Sequence, residues 1–496
     1  MPDHPAAEVP APVIPITAQN ATPPDGVPLP SLVWKCERSC GLILRVSRAP
    51  SRPLSGLRHP ARAVVIAFAS AVVVGTSLLL LPVARESREL TGLVEALFTA
   101  TSAVSVTGLI VVDTPGHWST FGELVILGLI QVGGLGVMTL ASLLGLVITR
   151  RLGLRMRLTA QTETKALGLG DVRRVVIGVA LVSLTFETII AAVLTARFVS
   201  GYGYEFGTAV YHGVFHAVSA FNNAGFALYA DNLMPFATDV WICAPIAVAV
   251  IAGGLGFPVW IEVWRRARGS LHRWSLHVKL TVLTTAVLLV VGGVAITTAE
   301  WNNPGTLGQF GVGGRLIAGL FHAVMPRTAG FNSLDVGQFE SGTLLVNDIL
   351  MFVGGGSAGT AGGIKVSTFA LLAFVIVAEV RAQPTVHLMG RKVPSEAQRQ
   401  ALTVVLLSAG AVMVATLTLL ALTPFELDEV LFEAVSAFAT VGLSTGITAD
   451  LPPAGQLVLT VLMFAGRIGP ITLASALALR ERTRRYELPE ERPIIG

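Results

Sequence analysis

The chain has 496 residues, of which 52% are hydrophobic and 13% charged. A soluble domain carries about a quarter charged residues, so this composition excludes an ordinary cytosolic enzyme and a disordered chain, and a polytopic membrane protein becomes the default. The net charge of +4 would suit a nucleic-acid binder, but the placement of the basic residues argues for membrane topology and against nucleic acid.

Residues 1–60 hold 12 of the 27 prolines and little apolar periodicity, which predicts a disordered cytoplasmic N-terminal tail. No apolar core followed by a small-residue cleavage site is present, so the tail is not read as a signal peptide. Leu42–Arg52 is basic and suits a membrane surface. A start codon assigned too far upstream accounts equally well for much of the tail. Cys36, Cys40 and Cys243 make neither a disulfide framework nor a zinc ligand set, and Cys243 reads as packing.

Eight apolar runs long enough to span follow, at 63–83, 120–149, 174–198, 238–264, 277–299, 342–381, 401–424 and 455–479. Between the members of each pair lies a shorter apolar piece, at 92–109, 211–226, 316–331 and 427–443, too short to span and ending in a glycine-containing tract. Re-entrant segments have this length. Basic clusters follow every second span: Arg150 to Arg174, Arg265 to Lys279, Arg381 to Arg399, and Arg480 to Arg485. By the positive-inside rule these loops and both termini are cytoplasmic. The opposite loops are mostly acidic, with Asp113, Asp231, Asp335 and Asp450 among them, and an acidic outer face concentrates cations near an entrance.

The short pieces align as LFTATSAVSVTGL (97–109), VFHAVSAFNNAGF (214–226), LFHAVMPRTAGF (320–331) and LFEAVSAFATVGL (431–443). The chain therefore reads as four parallel repeats of transmembrane helix, pore helix, filter loop and transmembrane helix. Their expected limits are 61–149, 150–270, 271–385 and 386–482, with a cytoplasmic C-terminal tail at 483–496. The expected fold is an all-α membrane protein with eight transmembrane helices around a pseudo-fourfold pore. Short helices pointing their partly negative C-terminal ends at the axis favour a cation there. Glycine lets successive carbonyls turn inward, and rings of carbonyls that replace a hydration shell are how potassium filters work. The candidate filter residues are Val106, Thr107 and Gly108; Asn223, Ala224 and Gly225; Thr328, Ala329 and Gly330; and Thr440, Val441 and Gly442. Bound K+ at this filter is the sole metal expected, and no covalent cofactor is expected.

With these four segments, QVGGLGVMT (131–139), GLGFPVW (254–260), SLHVKL (275–280), GGGSAGTAGGIKVST (354–368) and GRIGPIT (466–472), the chain resembles the TrkH/TrkG/KtrB superfamily of potassium transporters, and its KtrB branch in particular. The resemblance covers about residues 60 to 482. It implies potassium uptake across the cell membrane by the ion-translocating subunit of a Ktr/Trk-type system, and no enzymatic activity. It also implies a homodimer on a soluble, nucleotide-binding KtrA-like regulatory subunit at the cytoplasmic face. Sodium stimulation is a family trait, with no residue assigned to it here. Relatives with serine in place of the first filter glycine conduct sodium, so Gly108 favours potassium.

The sixth run is too long for one helix and has six glycines at 354–363, which predicts two half-helices joined by an irregular intramembrane loop. The resemblance implies that this loop is a gate. The gate residues are then Gly354, Gly355, Gly356, Ser357, Gly359, Thr360, Gly362 and Gly363, with Lys365 and Arg467 beside them. Arg467 is a charge inside an apolar run and needs a partner or water; loop carbonyls are the expected partners. Lys365 reaches either the cytoplasmic side or the loop. Arg327 reads as a brace at the third tract. Glu187, near mid-span, is expected to pair with a polar neighbour, while Glu123 and Asp348 lie near outer ends. His212 and His216 have a metal-like spacing, but His322 repeats the His216 position, so packing is the better reading. The other function class weighed is a secondary transporter coupling cation flux to H+ or Na+, with Glu187 as its candidate proton carrier.

Overall fold

The computed structural model describes residues 60–151, 172–269 and 273–469. The N-terminal tail, Arg155, Arg157 and Lys165 of the first basic loop, and the 483–496 tail lie outside them. The first half runs α1 (Pro60–Leu79), α2 (Leu93–Ser105), α3 (Thr114–His117), α4 (Thr120–Arg151), α5 (Val172–Tyr202), α6 (Phe206–Phe221), α7 (Val240–Leu255) and α8 (Phe257–Ala267). The second runs α9 (Leu276–Ala299), α10 (Val312–Val324), α11 (Ser341–Phe352), α12 (Val366–Val380), α13 (Ser395–Leu422), α14 (Leu427–Ala439) and α15 (Pro453–Ile468). The described residues form an all-α fold, with one minimal hairpin, β1 (His387–Leu388) against β2 (Arg391–Lys392), in a connection between helices.

Three described helices are long and apolar enough to cross a bilayer unaided: Val175–Tyr202, Leu276–Ala299 and Ser395–Leu422. Two expected spans are interrupted. The 238–264 run breaks at Gly256 (φ 89°) and turns by 98° between α7 and α8. The 342–381 run breaks into α11 and α12 around residues 353–365. The molecule is a multi-pass, helical membrane protein.

The helix starts follow from local chemistry. Ser275 accepts from the Val278 N–H at 3.2 Å and Asp239 from the Trp241 N–H at 2.9 Å, each satisfying a donor left free at a helix start. Glu95 and Glu429 reach back to the Gly92 and Glu426 N–H groups, fixing the entrances to α2 and α14.

The four short helices α2, α6, α10 and α14 occupy the interior. Their leading phenylalanines, Phe98, Phe215, Phe321 and Phe432, are at most 2% exposed. Helix α2 packs on α1, α4 and α15; α6 on α4, α5 and α7; α10 on α7 and α9; α14 on α11, α13 and α15. Small residues allow this approach, as expected where lipid supplies no hydrophobic drive between helices. A Cβ at Gly133, Gly253 or Gly466 would overlap the carbonyl oxygen of Val104, Phe221 or Phe438, the same position in three short helices.

Candidate functional site

Each short helix runs into its glycine tract through a residue in the left-handed region. Val106 (φ 57°), Asn223 (60°), Thr328 (68°) and Thr440 (51°) take this conformation, and so does the glycine two residues on. For a side-chain-bearing residue it costs about 1–3 kcal/mol, more readily tolerated by asparagine than by a β-branched residue. Thus strain recurs at the same register four times.

The tracts meet in cyclic order. A Cβ on Gly108 would overlap the Ala224 carbonyl oxygen. One on Gly225 would lie 2.8 Å from the Ala329 oxygen, and one on Gly330 would lie 2.6 Å from the Val441 oxygen. The ring closes where a Cβ on Gly442 would overlap the Thr107 oxygen. Val106 to Gly108, Asn223 to Gly225, Thr328 to Gly330 and Thr440 to Gly442 are thereby brought together from segments far apart in sequence. At each glycine, only the missing side chain leaves room for the carbonyl next door.

Hydrogen bonds to the short helices hold the tracts. The Ser102 and Ser436 hydroxyls accept from the Gly108 and Gly442 N–H groups at 3.0 and 3.1 Å. The Ser102, Ser219 and Ser436 carbonyls accept from Thr107, Ala224 and Val441 at 2.7–2.8 Å. Sequence reasoning missed these serines, although each stands six residues before its glycine. The third segment is one residue shorter and carries Met325 where the others have serine. Glu433, also missed, is fully buried in α14. Its carboxylate accepts from Ser444 Oγ at 2.5 Å, the Thr445 N–H at 3.1 Å and Thr448 Oγ1 at 2.8 Å. His216 occupies the same register in α6, where its Nε2 accepts from the Leu228 N–H at 3.3 Å. Each thus anchors the backbone three residues beyond its tract glycine.

One side of the ring opens into a cavity of about 330 Å³ whose lining includes Gly108, Gly225, Gly442, Asp231 and Asp335. Asp335 also accepts from the Gly337 N–H at 3.1 Å, and further acidic residues of these loops have structural partners too. Asp239 pairs with Arg197 at 2.8 Å, Asp113 accepts from the Gly116 N–H at 2.9 Å, and Asp428 accepts from Ser341 Oγ at 2.8 Å.

Residues 353–365 form an irregular loop packed against the ring. Val353 and Ile364 make a short parallel bridge. Gly356 and Thr360 donate backbone N–H groups to the Gly254 and Gly253 carbonyls at 2.8 and 3.2 Å. Thr360 Oγ1 donates to Asn223 Oδ1 of the second tract at 2.8 Å. A Cβ on Gly354 would overlap the Gly362 carbonyl, and one on Gly362 would overlap Thr440 Oγ1 of the fourth tract. Gly355, Gly359 and Gly363 lie against the Gly254 carbonyl or the Gly354 backbone, and Ser357 Oγ sits 3.1 Å from Ser367 Oγ. Arg467, 7% exposed, donates to the Thr360 carbonyl and, at 3.3 Å, to the Gly133 carbonyl. Lys365 turns back on the loop and donates to the Ala361 carbonyl at 2.7 Å.

Arg327 donates to the Gly354 carbonyl at 2.9 Å, tying the third tract to the loop. Glu187 accepts from Ser183 at 2.6 Å, Gln131 at 3.1 Å and Asn222 at 3.2 Å, so it belongs to a buried polar cluster beside the second tract. Glu123 accepts from the Tyr211 hydroxyl. Asp348 is 7% exposed and one of its oxygens has no hydrogen-bond partner. His212 and His216 stack with rings 6.1 Å apart, and the described residues contain no group of three or more metal-ligating side chains. Cys243 is buried, its thiol 3.3 Å from the Phe236 carbonyl.

Residues 53–483 match the family of TrkH cation transport proteins. The chain belongs to that family. The match takes in all four tracts, the 353–365 loop and Arg467, so every element of the site lies within the TrkH-family region. The chain is 39% identical over 426 residues to the "Ktr system potassium uptake protein B" of Bacillus subtilis, covering 86% of this chain and 94% of that protein. It is equally identical over 436 residues to the protein of that name from Vibrio alginolyticus, covering 88% and 94%. The "potassium/sodium uptake protein NtpJ" of Enterococcus hirae is 33% identical, with 88% of this chain and 97% of that protein covered. The solved structure of the potassium transporter TrkH from Vibrio parahaemolyticus superposes with a TM-score of 0.68 over 84% of each chain, at 16% identity. At that identity the likeness concerns the TrkH-family fold.

Proposed function

We propose that this chain is the ion-translocating subunit of a potassium uptake system in the cell membrane, with the four glycine tracts as its carbonyl filter and the 354–363 loop as its gate. One observation carries the reading: four tracts at matching positions in four similar segments touch in cyclic order and close on themselves. On this reading the chain is four parallel repeats with eight spans around one pseudo-fourfold axis, both termini cytoplasmic. The C-terminal ends of α2, α6, α10 and α14 point partial negative charge at the tracts. The cavity bearing Asp231 and Asp335 gathers cations before they shed water. Arg467 and Lys365, both bonded to loop carbonyls, set positive charge on the exit path and hold the loop shut.

Relatives named as potassium uptake proteins at 39% identity support K+ as the substrate. The resemblance to the KtrB branch further implies a homodimer served by a soluble KtrA-like nucleotide-binding subunit at the cytoplasmic face, and the proposed function includes both. Sodium enters this reading as a stimulating ion.

The test is K+ against Na+ flux into liposomes holding the purified chain, for wild type and Gly108→Ser. The added side chain overlaps the Ala224 carbonyl, so the K+/Na+ ratio is expected to fall. Flux that is proton-coupled or equally selective in both proteins would put selectivity elsewhere and favour a coupled carrier.

A further inference from the structure

Helix α8 turns 98° away from α7 at Gly256. With α7 as the membrane-inserted part of the broken 238–264 run, a helix at right angles to it lies along the membrane surface, and the composition of α8 suits that position. Phe257 and Val259 face the core, whereas Val263 is 37% and Trp264 57% exposed, with Arg266 and Arg268 beside them. The Arg268 guanidinium lies 3.9 Å over the Trp264 ring, and that of Arg266 lies 5.1 Å over Trp274. An aromatic ring at headgroup depth with an arginine stacked on it is an interfacial anchor. The segment 257–279 carries Arg265, Arg266, Arg268, Arg273 and Lys279 against a single acid, Glu262. Glu262 is turned inward, accepting from the Ser275 N–H at 3.0 Å. The exposed face is therefore apolar and cationic together, which complements the acyl chain and phosphodiester of an anionic phospholipid.

The same helix is wired to the loop. Phe257, its first residue, donates its N–H to the Ala358 carbonyl at 3.3 Å. One turn earlier, Gly253 and Gly254 accept from Thr360 and Gly356. A Cβ on Gly256 would come within 2.8 Å of the Ser357 carbonyl oxygen and 2.9 Å of the Gly359 nitrogen. The bend that lays α8 down is thus the surface against which residues 356–360 are hydrogen-bonded, and Thr360 is where Arg467 locks the loop.

We propose that α8 is a docking site for anionic phospholipid headgroups, and that their occupancy shifts the 354–363 loop and so sets the flux. The second half rests on the reading of that loop as a gate. The first half stands on the helix alone, and the experiment separates them.

The full chain is reconstituted in phosphatidylcholine vesicles with and without phosphatidylglycerol. Contact at α8 is read as quenching of Trp264 by brominated phosphatidylglycerol or brominated phosphatidylcholine, with Trp264→Phe giving the background from the other tryptophans. Stronger quenching by the anionic lipid is expected. It should be lost in Arg266→Gln/Arg268→Gln, where two arginines at about fivefold each weaken headgroup binding about 30-fold, and kept in Arg266→Lys/Arg268→Lys. Potassium flux should differ several-fold between the two vesicle types for wild type and the lysine variant, and not for the glutamine variant. Equal quenching by both lipids overturns the docking site. Anionic preference with lipid-independent flux overturns the coupling. Anionic preference with no flux in any vesicle supports the docking site and counts against the transport reading instead.

Discussion

The ring is held by side chains whose partners lie a few residues past the tracts, and Glu433 shows what such a residue contributes. A fully buried carboxylate accepting three hydrogen bonds from 444–448 fixes the chain just beyond the fourth tract. Glu433→Ala removes the carboxylate from donors that border the cavity, where water replaces it in part, with an expected cost of about 1–2 kcal/mol. Glu433→Gln keeps one carbonyl acceptor and should fall between, both in thermal unfolding in detergent and in the K+/Na+ flux ratio. An alanine variant with unchanged unfolding and unchanged ratio would remove Glu433 from the account. Arg467 acts on the other side of the ring by bonding two backbones at once, Thr360 on the loop and Gly133 on α4. A glutamine cannot span both. Losing one charge-assisted hydrogen bond, at about 1.5–3 kcal/mol, should raise basal K+ flux of Arg467→Gln about tenfold in liposomes. Flux at the wild-type level would mean that the loop is held shut by its other contacts.

At the scale of elements, the bend between α7 and α8 offers a way to test the proposed gate apart from the proposed filter. Gly256 has φ 89° and ψ 155°, a region that essentially only glycine enters. Gly256→Ala adds strain of about 1–3 kcal/mol and pushes on Ser357 and Gly359. Absolute flux should change while the K+/Na+ ratio stays at the wild-type value, the reverse of Gly108→Ser. A change in the ratio would mean that bend and ring move as one body. The sequence displayed the short helices clearly, because each carries a phenylalanine near the start of its aligned segment and is followed within a few residues by a glycine, four times over. It hid the bend, because apolarity continues from Val240 through Trp260 and a hydropathy window averages across a single glycine. It hid the role of Glu433 as well, since the partners at 444–448 belong to an irregular loop whose path no periodicity predicts. The paired serines were open to view in the aligned segments; what was missing was the geometry that makes a hydroxyl six residues upstream meet the tract glycine's N–H.

For the whole molecule, the closing contact joins the first tract to the fourth. Thr107 and Gly442 are neighbours, α2 packs on α15, and Gly225 meets Gly330 across the segment between α8 and α9. Each half of the chain therefore supplies two adjacent walls and leaves two contacts open. A chain cut after Gly269, where α8 has ended, gives two fragments that each carry spans and two tracts but no complete ring. Because lipid does not drive helices together, the fragments must re-pair through close glycine packing and polar contacts between Thr360, Asn223 and Arg467. Co-expressed fragments should restore growth of a K+-uptake-deficient bacterium on low potassium, whereas neither fragment alone should, and Gly108→Ser in the first fragment should weaken the rescue. Growth supported by a single fragment would show that two tracts suffice, and the closed ring of four would then not be the conducting unit.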